Sequence, residues 1–283
     1  LDLQPNKFSS APAIVQAIAS GRYDVMYFGI GPAMVARANG VPIKVVASNV
    51  VEQIGLVAEG ALAQAASPGV SPADAVRHFA TAEKRKPKIA TLPKGSVPDT
   101  VLRYWLQHAG LSTATVEIVG MGEDKVQQAL LTHAVDGASI LEPIVTIVES
   151  QMPGAKVIVG GKDMFPDAPG AVVAVRESAL ATKRDAIQKL VALHIRATDL
   201  LIHDPDRAAK DVYASLGEGL IAPAVMEKAL KSPLNHFVSD PRTIVKATHA
   251  MEDFQREIGA LDAPVDVDQL FDTSLYAAAS AGK

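Results

Sequence analysis

Cysteine is absent from the sequence, which removes disulfides, thiolate metal sites and cysteine nucleophiles together. That absence assigns no compartment, since exported bacterial proteins often lack cysteine. Aromatic residues are scarce, at 5% of the chain with a single tryptophan. No apolar run approaches the roughly 20 residues needed to span a bilayer. Charge of one sign is not concentrated anywhere: 27 basic and 31 acidic residues are mixed along the chain, for a net −4. Without a basic stripe or a basic amphipathic segment, neither nucleic acid nor a membrane surface is an expected partner.

Several chemical motifs are missing as well. The segment GIGPAM lacks the third glycine of a dinucleotide turn, because Met34 stands there. VIVGGKD has neither the spacing nor the Ser/Thr of a phosphate-binding loop, and no G-x-S-x-G elbow occurs. The histidines, at 78, 108, 133, 194, 203, 236 and 249, are scattered with no H-E-x-x-H pair. No cofactor and no metal is therefore expected.

What is present is ample core material, 48% hydrophobic over 283 residues, enough for one large domain or two lobes of ordinary size. Short β-rich runs alternate with helical ones, the α/β pattern of parallel strands and crossover helices. Strands are expected at 23–28, 43–47, 54–58, 88–91, 115–119, 136–141, 156–159 and 171–175. Helices are expected at 11–19, 32–38, 97–109, 123–133 and 143–150. From Glu177 to Gly259 the pattern is nearly all helical, as for a tail packed on a sheet built earlier. The polar cluster TAEKRKPK and the loop GGKDMFPDAPG bracket a segment whose ends are candidate lobe crossings. The opening LDLQPNKF reads as a strand, in the manner of an exported chain trimmed of its leader.

Four strand-to-helix junctions share one chemistry: KFSSAP, FGIGPA, LPKGSVPD and VGMGED. Each places Gly or Ser where the first helical turn leaves its N–H groups unpaired. Such ends, with the positive end of the helix dipole, attract anions, and glycine lets a ligand approach the backbone. Each is also an ordinary helix cap when taken singly. In KGSVPD the residues Lys94, Gly95 and Ser96 meet one helix start, although Asp99 sits in the same first turn. In VGMGED the acids Glu123 and Asp124 already supply negative charge. Phe8, Tyr27 and Phe28 flank the first two junctions and are either core or pocket wall. Asn49 ends a strand and is a candidate cleft residue. Glu142, before Pro143 at another strand end, is a cap or a cleft residue. No second carboxylate pairs with it for acid/base work, and Trp105 reads as packing.

These residues resemble a known family. SSAPAIVQAIASGRYDVMYFGIGPAMVARANGVPIKVVAS is similar to the first-lobe signature of periplasmic substrate-binding proteins for nitrate, sulfonates, taurine and related solutes. LPKGSVPDTVLRYWLQHAGL resembles the family's glycine-serine turn and long helix, and QALLTHAVDGASILEP its E-P segment, with Leu141 in place of the usual tryptophan. Family members carry a further strand and helix before the point where this sequence opens.

The resemblance implies a bilobal type II periplasmic binding protein fold, two mixed α/β lobes joined by two crossing hinge strands. Lobe I would comprise 1–87 and 169–283, and lobe II 88–168. It implies a receptor rather than an enzyme, acting as a monomer that captures a small anionic organic solute, with a sulfonate as the first guess. The receptor would deliver to the membrane permease of an ABC importer from the periplasm or the outer face of the membrane. Carried over by position, Ser9 and Ser10 would donate from the first helix start, and Tyr27, Gly29, Ile30 and Gly31 would line the pocket. Gly95 and Ser96 would grip the anion from the second lobe, with Glu142 at the cleft mouth or hinge. Two alternatives stay open: an enzyme of the thiamine-pyrimidine type on the same scaffold, and the effector region of a LysR-type regulator.

Overall fold

The computed structural model describes residues 1–8, 11–112, 114–216 and 221–281. Among the described residues there are ten strands: β1 Val25–Gly29, β2 Ile43–Ser48, β3 Val50–Val51, β4 Gly55–Ala58, β5 Lys88–Thr91, β6 Glu117–Gly120, β7 Gly137–Ile140, β8 Lys156–Gly160, β9 Ala171–Arg176 and β10 His236–Phe237. The helices of the first two-thirds are α1 Ala11–Ala19, α2 Ile30–Ala38, α3 Gly60–Ala65, α4 Pro72–Glu83, α5 Val97–His108, α6 Glu123–Leu131, α7 Ile144–Gln151 and α8 Gly161–Met164. The tail adds α9 Glu177–Thr182, α10 Arg184–His203, α11 Pro205–Leu216, α12 Pro223–Leu230, α13 Val245–Glu257, α14 Val267–Leu270 and α15 Ser274–Ser280.

The strands expected between 23 and 175 are all present, shifted by at most two residues at their ends, whereas the strand-like opening at 1–8 forms no strand. They divide into a three-stranded sheet, β1-β9-β2, and a five-stranded sheet, β6-β5-β7-β4-β8. The expectation of parallel strands holds only in part. β5 runs parallel to β6 and β7, whereas β9 is antiparallel to both β1 and β2, and β4 to both β7 and β8. β4 and β9 are the strands that reverse direction because each enters its sheet after the chain has crossed from the other.

Sheet membership also moves the first expected boundary. β4 lies between β7 and β8 in the five-stranded sheet, so the chain crosses before Gly55 and not at 87/88. The turn cluster at 81–88 is instead an ordinary α4-to-β5 connection. Sheet membership changes back between Gly160 and Ala171.

Alternation along the strands explains the layering. In β9, Val172 and Ala174 face one core, while Val173 and Val175 face another under α10. In β4, Leu56 and Ala58 face the first core and Val57 a third, beneath α6 and α7. The period of two is that of strands covered on both faces. The first core is continuous across both sheets: Ile43 and Val45 of β2, Leu56 of β4, Ile89 of β5, Trp105 of α5 and Met251 of α13 all belong to it. Each large aliphatic side chain buried there contributes about 1.5–3 kcal/mol. No helix among the described residues is long and apolar enough to cross a membrane.

Candidate functional site

The glycine pair of FGIGPA sits where the two sheets' helices meet. β1 ends at Gly29 and α2 begins at Ile30, whose amide donates to the Gly170 carbonyl at 2.9 Å. Neither glycine is needed for a left-handed backbone, since neither has a positive φ. Close approach explains them. A Cβ on Gly31 would lie 2.5 Å from the Gly95 carbonyl oxygen and 2.7 Å from Gln255 Nε2, and one on Gly29 would lie 3.1 Å from Val97 Cγ2. Ile30, expected to line a pocket, is 0% exposed and belongs to the main core, because its position points inward from the helix start.

Across this seam lies the KGS turn. Gly95 adopts φ +85, a conformation that glycine reaches without strain. Its N–H donates to Asp99 Oδ2 at 3.2 Å, and the Asp99 N–H returns a bond to Ser96 Oγ at 3.3 Å. Asp99 Oδ1 accepts from Arg103 Nε at 2.8 Å, and the residue is only 1% exposed. The arrangement is a variant of the reciprocal capping box. An internal carboxylate therefore already occupies the positive helix end where an external anion was expected.

Beside this turn is a cavity of about 300 Å3, lined by Gln16 of α1, Pro32 and Val35 of α2, Asn39 at the end of α2, and Lys94, Gly95 and Ser96. Lys94 is exposed and is the cation among the residues lining the cavity. Glu123, at the start of α6, has its carboxyl pushed up by burial, partly offset by the Lys7 charge. Ser9 and Ser10 lie outside the described residues.

The remaining sequence candidates are dispersed. Tyr27 is 48% exposed on the strand face opposite to buried Phe28. It lies edge-on to the His194 ring at 5.7 Å, and desolvation pushes its phenol up. It lines a groove with Leu1–Asn6 and Leu190 of α10, distinct from the cavity at Ser96. Asn49 is half-buried; its backbone donates to Ala171 and accepts from Val238, joining β9 to the segment after β10. Glu142 accepts from both the amide and the hydroxyl of Thr146 at 3.0 Å. Burial pushes its carboxyl up, against hydrogen bonds from Ser232 and Thr146 that hold it down. It lines a separate groove of about 660 Å3 between α7 and α12, with Glu149, Lys228 and Leu234.

Sequence reasoning missed three polar groups. Ser48 Oγ, Thr91 Oγ1 and Gln255 Oε1 are buried without a hydrogen-bond partner. Ser48 and Thr91 are the last residues of β2 and β5, and the signal that singled out Asn49, a polar residue at a strand end, would have found both. Gln255 carries no such signal. Among the described residues, no group of three or more His, Cys, Asp or Glu is placed to hold a metal ion.

A model of the NMT1-like family matches residues 1–216. The chain belongs to the NMT1-like family. A putative binding protein of Brucella abortus is 25% identical to this NMT1-like chain over 281 residues, covering 94% of the chain and 79% of the relative. Solved structures share its fold at lower identity. The periplasmic nitrate-binding protein NrtA from Synechocystis PCC 6803 has a TM-score of 0.78 at 15% identity, covering 97% of this chain and 79% of that one. The alkanesulfonate-binding protein SsuA from Xanthomonas axonopodis pv. citri, bound to MOPS, has a TM-score of 0.74 at 20% identity, covering 94% and 86%. The NMT1-like chain thus has the bilobal fold of periplasmic binding proteins. The desulfurization enzyme DSZB also shares the fold, with a TM-score of 0.63 at 14% identity, covering 91% and 85%.

Proposed function

We propose that this NMT1-like protein is the monomeric solute-binding receptor of an ABC importer, working in the periplasm and handing a small anionic organic solute to a membrane permease. In this reading one lobe is built on β1-β9-β2 and the other on the five-stranded sheet. Their crossings are the segments before β4 and after β8. The names of the Brucella, Synechocystis and Xanthomonas proteins support a receptor, and the last of these supports a sulfonate.

The observation that carries the reading is the meeting of two glycine turns, one from each sheet, at Gly31 and Gly95 beside a cavity holding Lys94. Lobe closure and anion capture then happen at one place, as a closing receptor requires. Because the Gly95 amide is committed to Asp99, the anion draws on Lys94, the Ser96 hydroxyl and the side-chain amides of Gln16 and Asn39. A cavity of about 300 Å3 is at the small end of ligand pockets.

Thermal shift of protein unfolded and refolded to strip bound solute tests this, with alkanesulfonates, taurine, nitrate, bicarbonate and aromatic carboxylates. A ligand at one hundred times its Kd adds about 2.7 kcal/mol, and Lys94→Ala abolishes the shift. The second reading, an enzyme on this scaffold, draws on the fold shared with DSZB. It requires the stabilising compound to be consumed on incubation, and intact recovery of that compound by mass spectrometry would sink it.

A further inference from the structure

Gln255 lies on α13, which packs beside α2 of the three-stranded unit and α5 of the five-stranded one. Its side chain is 0% exposed. Both hydrogens of Nε2 are spent across the seam: one goes to the Gly95 carbonyl at 3.0 Å and the other to Thr100 Oγ1 at 2.9 Å. Gly31 closes the third side, with no room for a Cβ against the Gly95 carbonyl or Gln255 Nε2. The other end of the amide, Oε1, is buried with no partner.

We propose that Gln255 is the positioning residue that fastens the two lobes, holding the Gly95 turn against Gly31 and so setting the balance between closed and open receptor. The inference rests on the receptor reading above. The two donated bonds anchor the turn whose next residue, Ser96, lines the anion cavity. The unmatched Oε1 works against them. A buried acceptor stripped of water is unfavourable, and opening the seam lets water reach it. The amide therefore fastens the seam without locking it, which a receptor that must release its solute needs. A carboxylate in place of the amide would set two acceptors against the Gly95 carbonyl. A methyl on Gly31 would press on the Gly95 carbonyl and on Gln255 Nε2 alike, wedging the same seam from the other side.

Hydrogen–deuterium exchange of the solute-free protein tests this, with small-angle scattering of the same samples. In Gln255→Glu and in Gly31→Ala, peptides covering 26–34, 92–102 and 250–260 exchange about tenfold faster than in the parent, and the radius of gyration increases. Peptides of α10 keep their parent rates, and the exposed control Asp253→Ala changes nothing. Parent rates at the seam in both variants would overturn the proposal. Should Gln255→Glu unfold throughout, seen as fast exchange in every peptide, Gln255→Leu, which removes both donated bonds without adding charge, is read in its place, and parent rates at the seam in it overturn the proposal. Since exchange is read without solute, failure here is separable from failure to find a ligand.

Discussion

Asp99 holds the Gly95 amide at 3.2 Å through one carboxylate oxygen and Arg103 Nε at 2.8 Å through the other. A turn that looks built for an external anion is thus completed by the chain's own acid. Asp99→Ala leaves a buried amide without an acceptor and a guanidinium without its partner. Urea unfolding should show a loss of about 2–4 kcal/mol. A loss below 0.5 kcal/mol would mean the carboxylate is incidental.

Asp99→Asn separates charge from hydrogen bonding. Its carbonyl oxygen still accepts from Gly95, but the negative charge at the helix start is gone. With the dipole no longer compensated, an anionic solute should bind more tightly by about 1 kcal/mol, roughly fivefold. Calorimetric titration of the parent and the variant with the same solute checks this. Weaker binding in the variant would show that the anion sits elsewhere.

Glu52 clasps both crossings between the sheets. Its carboxylate accepts from the Asp167 amide and from His236 Nδ1, each at 2.9 Å. Its backbone has φ +53, strained for a residue other than glycine. Gly161 is glycine because a Cβ there would lie 2.0 Å from the Glu52 carbonyl oxygen. Glu52→Ala keeps the strain and loses the bonds, for an expected cost of about 2–3 kcal/mol. Limited proteolysis should cut first near 161–170, and parental resistance there would refute the clasp.

Glu142 and His194 titrate in opposite senses. The folded Glu142 carboxyl is raised, chiefly by burial, above its ordinary 4.5. Its contribution to stability is whole below that pH and is lost as pH rises through the folded value. Glu142→Gln, which does not ionise, should therefore gain on the parent as pH goes from 4 to 7. Equal pH profiles would exclude the effect.

The buried His194 ring is held below its ordinary 6.5 by desolvation, against the pull of its hydrogen bond to the Ser48 carbonyl. Its contribution is whole above pH 6.5 and is lost as pH falls toward the folded value. His194→Gln keeps a donor for Ser48 and should flatten the fall in stability between pH 6.5 and 5. Denaturant midpoints at three pH values read the difference, and an unchanged slope would assign the acid sensitivity to another group.

Much was legible along the chain. The eight longer strands and the start of α5 followed from local pattern, because alternation in runs such as AVVAVR and the cap in KGSVPD depend on near neighbours. Even the competing acid at Asp99 was visible, since a first helical turn reaches its own cap. The two-residue pair of β3 and β10 was not, because two residues carry no period.

The sequence by itself determined the elements, the absence of thiol chemistry and the family resemblance. Each of these resides in residue identity and short spacing. The tertiary structure decided which sheet takes β4, that Tyr27 faces away from the seam while Phe28 is buried, and that Glu142 lines a groove apart from Ser96. It also decided why Gly31 is glycine: the Gly95 carbonyl and Gln255 Nε2 come within 2.7 Å of where a Cβ would stand. The residues in that contact are separated by 64 and 224 positions, 31 to 95 and 31 to 255. No local periodicity spans such distances, so only packing of the folded chain could reveal it.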